Sequence, residues 1–311
     1  MDKMQMWKNF DLGTELDISG AFIYNGLKSL HEIETLHYSS DVFEILYNLS
    51  VGLERLLKIN IILLEHHDHI NLEEFEKSLI THNTMELLTR VQKNRKLPIS
   101  NIHNDFIQML SKFYKSYRYD RYSPVSQVDM DKEKKSFHSF IEKNFNFKIH
   151  DQFPFDITYI DIKLKKSIGR VIGKIVSSLY TVLGDEARRL NLYTYEVRYN
   201  SKAGKIFIRE EYNFENEDIL SKELLIFLIN TKESANHLDL IKEIDHLDFD
   251  PALEVGYIQS LNSFEKKLDI LDELESLYED IDKPGDRLKL INAIGSSGVE
   301  FEINDMEEFD G

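Results

Sequence analysis

Residues 41–65, DVFEILYNLSVGLERLLKINIILLE, carry the clearest structural signal in this chain. Apolar residues recur along them at intervals of three and four, from Val42 through Leu49 and Leu56 to Leu64. This spacing is typical of a helix that turns one face toward a hydrophobic core. We therefore predict a long helix here and a helical bundle around it.

The same periodicity continues on both sides of this segment. It predicts further helices at residues 18–36, 72–91, 100–117, 136–144, 161–190, 221–230, 236–244 and 250–281. Residues 192–209 differ, because β-branched and aromatic residues flank a turn cluster there, which is typical of a β-hairpin. The predicted fold class is mainly α: a helical bundle with one β-hairpin at about 192–209 and an acidic helical C-terminal region.

The sequence is consistent with two domain organisations. In one, residues 1–150 form a helical bundle, and residues 151–311 add a basic helix, the hairpin and an acidic helical region. In the other, the helix predicted at 161–190 completes the core of the first bundle. Residues 15–230 would then be one domain, with 231–311 as an acidic appendage.

Composition excludes several classes of protein. The chain has 311 residues and no Cys, so a disulfide framework and a thiol nucleophile are absent. Its longest apolar run falls far short of a membrane span, and its first residues lack the apolar core of a secretory signal. We therefore expect a cytoplasmic protein without membrane association.

Charge is distributed unevenly along the chain. Residues 210–311 hold 8 Lys and Arg against 28 Asp and Glu, whereas residues 1–209 hold 30 against 27. The acidic third is either a set of solvated helices or a binding surface for a basic protein partner. The segment 159–209 has the opposite balance, with eleven basic and four acidic residues. Its candidate nucleic-acid-binding residues are Lys165, Lys166, Arg170, Arg188 and Arg189.

Two motifs argue against a metal or a phosphate-bound cofactor. The run Glu65-His66-His67-Asp68-His69 is rich in metal-ligand types, but the i, i+4 pair Glu65 and His69 supplies only two ligands. A polar helix end is the preferred interpretation. Gly169-Arg-Val-Ile-Gly173 is too short for a phosphate loop and predicts close packing of a helix. We predict neither a metal nor a cofactor.

The densest candidate site is the segment 114–123, YKSYRYDRYS. Arg118 and Arg121 lie three residues apart, so they share a face while the helix continues. Guanidinium groups hold phosphate in bidentate fashion, and Tyr122 offers a stacking surface. The alternative is a structural cluster in which one of these arginines pairs with Asp120 or another acidic residue.

A family resemblance follows from residues 52–58 (GLERLLK), the polar run 66–69, the His82-Asn83 pair and the RYDRY motif at 118–122. Together they resemble the HEPN family of small helical bundles over about residues 20–150. The resemblance implies a bundle that often forms homodimers. Many members are metal-independent endoribonucleases of toxin–antitoxin or anti-phage defence systems, and others only bind nucleotides or proteins.

The chain departs from the catalytic members of that family at one point. Those members carry a His four to six residues after an Arg, whereas the sixth residue after Arg118 is Pro124 and the next His is His138. We therefore name His82, on a neighbouring helix, as the candidate that moves a proton beside Arg118 and Arg121. Two functions stay open: a metal-independent ribonuclease that binds RNA, or a non-catalytic partner subunit that binds a protein through residues 210–311.

Overall fold

The computed structural model describes residues 3–67, 71–117, 131–152, 156–230, 236–261 and 264–294. It confirms a mainly α fold, and its two-residue strands form one antiparallel hairpin. By their internal contacts the residues divide into two compact units, Met1–Phe214 and Glu215–Gly311.

The first unit holds the long helices. Its described elements are, in chain order, α1 (Lys3–Met6) with a π-helical turn (Trp7–Asp11), α2 (Leu12–Glu32), α3 (Ser39–Glu65), α4 (Leu72–Leu79), α5 (Thr84–Asn94), α6 (Asn101–Lys112) with a π-helical turn (Phe113–Tyr117), α7 (Lys132–Phe145), β1 (Asp151–Gln152), β2 (Asp156–Ile157), α8 (Ile162–Arg189) and α9 (Lys202–Phe207).

Helix α3 is the centre of the first unit and packs against α2, α5 and α8. The helices predicted at 41–65 and 161–190 are confirmed as α3 and α8. Their apolar stripes form one continuous core, in which Leu46, Leu49 and Leu56 are fully buried. Burial of such side chains is the main stabilising contribution to a helical bundle.

The β-hairpin predicted at residues 192–209 is wrong in position. Residues 202–207 form helix α9, because the Ser201 hydroxyl accepts a hydrogen bond from the Gly204 N–H at 2.9 Å and caps the helix. A Cβ placed on Gly20 would lie 2.6 Å from the Cα of Ala203, so α9 packs closely against α2. Within the described residues, β1 and β2 pair as an antiparallel hairpin in which Asp151 is opposite Ile157.

The helix predicted at residues 72–91 is divided into α4 and α5. The side chain of Asn83 caps α5 by accepting a hydrogen bond from the Glu86 N–H. Residues 80–83 therefore form a short connection between the two helices. This interruption places His82 in a loop.

The second unit is also helical in its described part. Its elements are α10 (Glu215–Asn230), α11 (Asn236–Glu243), a 3₁₀ turn (Pro251–Leu253), α12 (Glu254–Ser260), α13 (Phe264–Glu279) and α14 (Pro284–Ala293). The predicted helices at 221–230 and 236–244 are present, whereas the one predicted at 250–281 is interrupted after Ser260. None of the described side chains of this unit is buried.

Among the described residues, no helix combines the length and apolar character that crossing a bilayer requires.

Candidate functional site

A polar arrangement in the first unit centres on Glu54, in the middle of α3. Its carboxylate bridges two cations or potential cations: one oxygen accepts from the Lys58 ammonium at 2.6 Å, and the other lies 3.0 Å from Nδ1 of His82. The Glu54 side chain is only 9% exposed, whereas that of His82 is 52% exposed. The arrangement therefore has a buried carboxylate at its base and an imidazole at the surface.

The connection between α4 and α5 positions the imidazole. Asn83 donates its backbone N–H to the Thr81 hydroxyl at 3.1 Å, and its side-chain oxygen accepts from the Ser111 hydroxyl of α6 at 3.1 Å. Thr84, the next residue, is fully buried. His82 is thus held from both sides by short polar contacts, and its side chain is directed to Glu54.

Tyr114 provides the second contact of His82. The two rings meet edge to face, with centroids 5.1 Å apart and planes at 87°. Tyr114 lies in the π-helical turn after α6 and is itself buried. It precedes Arg118 by four residues in the sequence. Arg118, Arg121 and Tyr122 lie outside the described residues.

This geometry suits proton transfer. When His82 is neutral and its Nδ1–H donates to Glu54, the other ring nitrogen is an acceptor that can take a proton. The Glu54 carboxylate then stabilises the imidazolium that forms, and Lys58 fixes its second oxygen. Sequence reasoning named His82 but missed Glu54. The available signal was a glutamate with its i, i+4 lysine inside the strongly apolar helix α3.

The structure divides the predicted nucleic-acid-binding residues into two groups. The ammonium group of Lys165 donates to the His31 carbonyl at 2.7 Å, Arg188 pairs with Asp185, and Arg189 pairs with the buried carboxylate of Glu186. These three side chains already interact with other groups of this chain.

Lys166 and Arg170 belong to a basic stripe along the first half of α8. The stripe consists of Lys163, Lys166, Arg170 and Lys174, whose three- and four-residue spacing places them on one face of the helix over about 16 Å. Lys163, Arg170 and Lys174 are exposed and form no ion pair within the described part of the chain. A row of exposed cations on one helix face attracts a polyanion.

A second histidine–carboxylate pair lies where α7 meets the segment before α3. His37 pairs with Asp151, which also accepts from the Lys134 ammonium at 2.8 Å. Burial by itself would raise the pKa of the Asp151 carboxyl, but the hydrogen bonds from Lys134 and His37 hold that pKa below its ordinary value. Burial lowers the pKa of His138, whose Nε2 lies 3.1 Å from the Leu36 carbonyl oxygen.

The polar C-terminal end of α3 is held by an ion pair within the first unit. Glu65 pairs with Arg90 of α5 at 2.5 Å, while Asp68 and His69 lie outside the described residues. In the described ranges, no group of three or more His, Asp or Glu residues is arranged to hold a metal ion.

Comparison with known proteins adds no relative. No protein-family model, no curated protein and no solved structure matches this chain significantly.

Proposed function

We propose that this chain is a HEPN-like, nucleic-acid-directed protein that cleaves RNA without a metal, as the toxin or effector of a toxin–antitoxin or anti-phage defence system. The observation that carries the proposal is the Glu54 carboxylate, which is buried and orients the exposed imidazole of His82. A buried carboxylate behind a surface histidine is the arrangement that general acid–base catalysis needs.

In the proposed reaction His82 takes the proton of a ribose 2′-hydroxyl, and the 2′-oxygen attacks the adjacent phosphorus. The bond to the departing 5′-oxygen breaks, and the proton returns to that oxygen through water. Glu54 balances the charge on His82 during the transfer. Arg118 and Arg121 hold the phosphate, and Tyr122 stacks on a base.

The basic stripe on α8 supports an RNA substrate. Its four cations carry a charge opposite to that of the chain as a whole, which has a net charge of −17. Each phosphate contact made by such residues releases counterions, so binding should weaken steeply with added salt.

The test is cleavage of labelled single-stranded RNA and of total cellular RNA in the presence of EDTA. We expect wild-type cleavage, a loss of about a hundredfold or more in His82→Asn, and a comparable loss in Glu54→Gln, because general acid–base groups contribute about that much. The double variant Arg118→Ala/Arg121→Ala should lose cleavage as well, through loss of phosphate binding.

His37→Asn is the matched control, because it changes another histidine that pairs with a carboxylate. It should retain wild-type activity once its folding has been verified by circular dichroism. Full activity of a well-folded His82→Asn variant would refute the assigned role of His82.

A second candidate function is a non-catalytic partner subunit that binds another protein through its acidic C-terminal region. It is favoured by one observation, that no described side chain of the second unit is buried. If the folded wild-type chain neither cleaves nor binds RNA, this second function replaces the first.

A further inference from the structure

Helix α10 exposes an unusual amount of apolar surface. Six large aliphatic side chains within eleven residues, Ile219, Leu220, Leu224, Ile226, Leu228 and Ile229, are between 49% and 72% exposed. Isolated exposed aliphatic residues are ordinary, but a contiguous set of this size marks an interaction surface. Residues 224–229 of this helix are all apolar, and a helical segment that is apolar on every side is normally covered by other protein.

Three of these residues form a regular row. Leu220, Leu224 and Leu228 follow one another at intervals of four, so they lie on one ridge about 12 Å long. The exposed Glu223 lies three residues after Leu220, on the same side of the helix. We call this row, with its flanking glutamate, the leucine ridge.

The negative charge of the second unit indicates which kind of partner can bind the leucine ridge. Residues 215–311 hold 26 Asp and Glu against 8 Lys and Arg. A second copy of the same surface would repel the first, and anionic membrane lipids would be repelled too. A segment that carries Lys and Arg beside its apolar residues matches both features of the ridge.

We propose that the leucine ridge docks a basic amphipathic helix of another protein. The apolar stripe of that helix covers Leu220, Leu224 and Leu228, and its Lys and Arg residues face Glu223 and the acidic surroundings. This is helix recognition through residues at i, i+4 and i+8. The inference does not depend on the proposed ribonuclease activity.

The experiment uses the full chain and a synthetic peptide of about 18 residues made of Leu and Lys, long enough to be helical, with its leucines at helical spacing. A peptide of the same composition in scrambled order is the reference. Fluorescence anisotropy measures binding, and hydrogen exchange locates it. We expect tighter binding of the patterned peptide, protection of α10, and weakening when NaCl is raised from about 50 mM to about 500 mM.

The variant Leu220→Gln/Leu224→Gln/Leu228→Gln should bind the patterned peptide about tenfold or more weakly, since it removes the apolar contact and keeps helix propensity. Leu288→Gln/Leu290→Gln is the matched control, because these α14 side chains are similarly exposed, at 48% and 47%. It should bind as the wild type does. Retained fluorescence of Trp7 shows that the first unit is folded in each variant.

Four results would overturn the proposal. The first is that the two peptides bind equally or not at all, and the second is that the ridge variant binds as well as the wild type. The third is slow amide exchange across α10 in the free chain, which would mean that the ridge is already covered. The fourth is an interaction of another class that the ridge variant abolishes, seen either as concentration-dependent self-association in sedimentation or as binding to phosphatidylcholine vesicles.

Discussion

Helices α2 and α3 pack tightly against each other at Gly52, and this contact makes a quantitative prediction. A Cβ at Gly52 would lie 2.6 Å from Cγ1 of Ile23, and 3.0 Å from both the Ile23 nitrogen and the Ser19 carbonyl oxygen. The Ser19 hydroxyl also donates to the Gly52 carbonyl at 2.8 Å across the same contact. Two of the obstructing atoms are backbone, so relief requires the helices to move apart.

The expected effect of Gly52→Ala is the balance of three contributions. Replacing Gly by Ala within a helix stabilises by about 1 kcal/mol. Overpacking of a tight core costs about 1–3 kcal/mol, and we take about 2 kcal/mol because Ile23 is fully buried and β-branched. Lengthening of the Ser19 hydrogen bond costs about 1 kcal/mol more. The free energy of unfolding should therefore fall by about 2 kcal/mol.

Gly13→Ala is the matched control. Gly13 lies in α2 as well, and a Cβ there would have no atom within 4 Å. Only the helix propensity changes, so this variant should gain up to about 1 kcal/mol. The two substitutions should change the free energy of unfolding in opposite directions, and the two changes should differ by about 3 kcal/mol.

Urea unfolding followed through the single Trp measures both effects. Trp7 packs against His66, with ring centroids 5.8 Å apart, so its fluorescence reports on the first unit. The claim that the α2–α3 contact is too tight for a Cβ would be refuted if both alanine substitutions raised the free energy of unfolding, or if both lowered it equally.

Three further predictions concern charge. Because the folded pKa of Asp151 lies below its unfolded value, its ion pairs stabilise the fold above about pH 4, and this contribution is lost as the pH falls through the lowered pKa. Asp151→Asn should therefore lower the free energy of unfolding near neutral pH and flatten its acid dependence in urea titrations; an unchanged acid slope would contradict this. Glu186→Ala should cost about 2 kcal/mol in the same assay, because the buried carboxylate accepts from Arg189 at 2.7 Å; a loss below about 0.5 kcal/mol would mean that solvent compensates. Lys163→Gln/Lys174→Gln should lower the salt slope of RNA affinity by about two counterions, measured by anisotropy, and an unchanged slope would exclude the basic stripe from RNA binding.

The sequence determined the long helices by itself, because their signal is local and repeated. In α3 and α8 the apolar residues recur every three or four positions over more than six turns, and the observed ends lie within two residues of the predicted ones. The i, i+4 pair of Glu54 and Lys58 could be inferred from the same periodicity.

Tertiary structure decided the short elements. Residues 205–209 have the composition of a strand and follow a predicted turn, but the Ser201 cap and the contact with Gly20 of α2 favour a helix at residues 202–207. The gain from capping and packing exceeds a local preference of less than about 1 kcal/mol.

The candidate site depends on contacts between distant parts of the chain. Glu54 and His82 are 28 residues apart, and their distance depends on where the α4–α5 connection crosses α3. Arg188 and Arg189 pair with acidic neighbours, whereas Lys163 and Arg170 have no acidic partner among the described residues. This difference also follows from which side of α8 faces the core. Local periodicity determines which residues face inward, whereas long-range packing determines which polar groups meet.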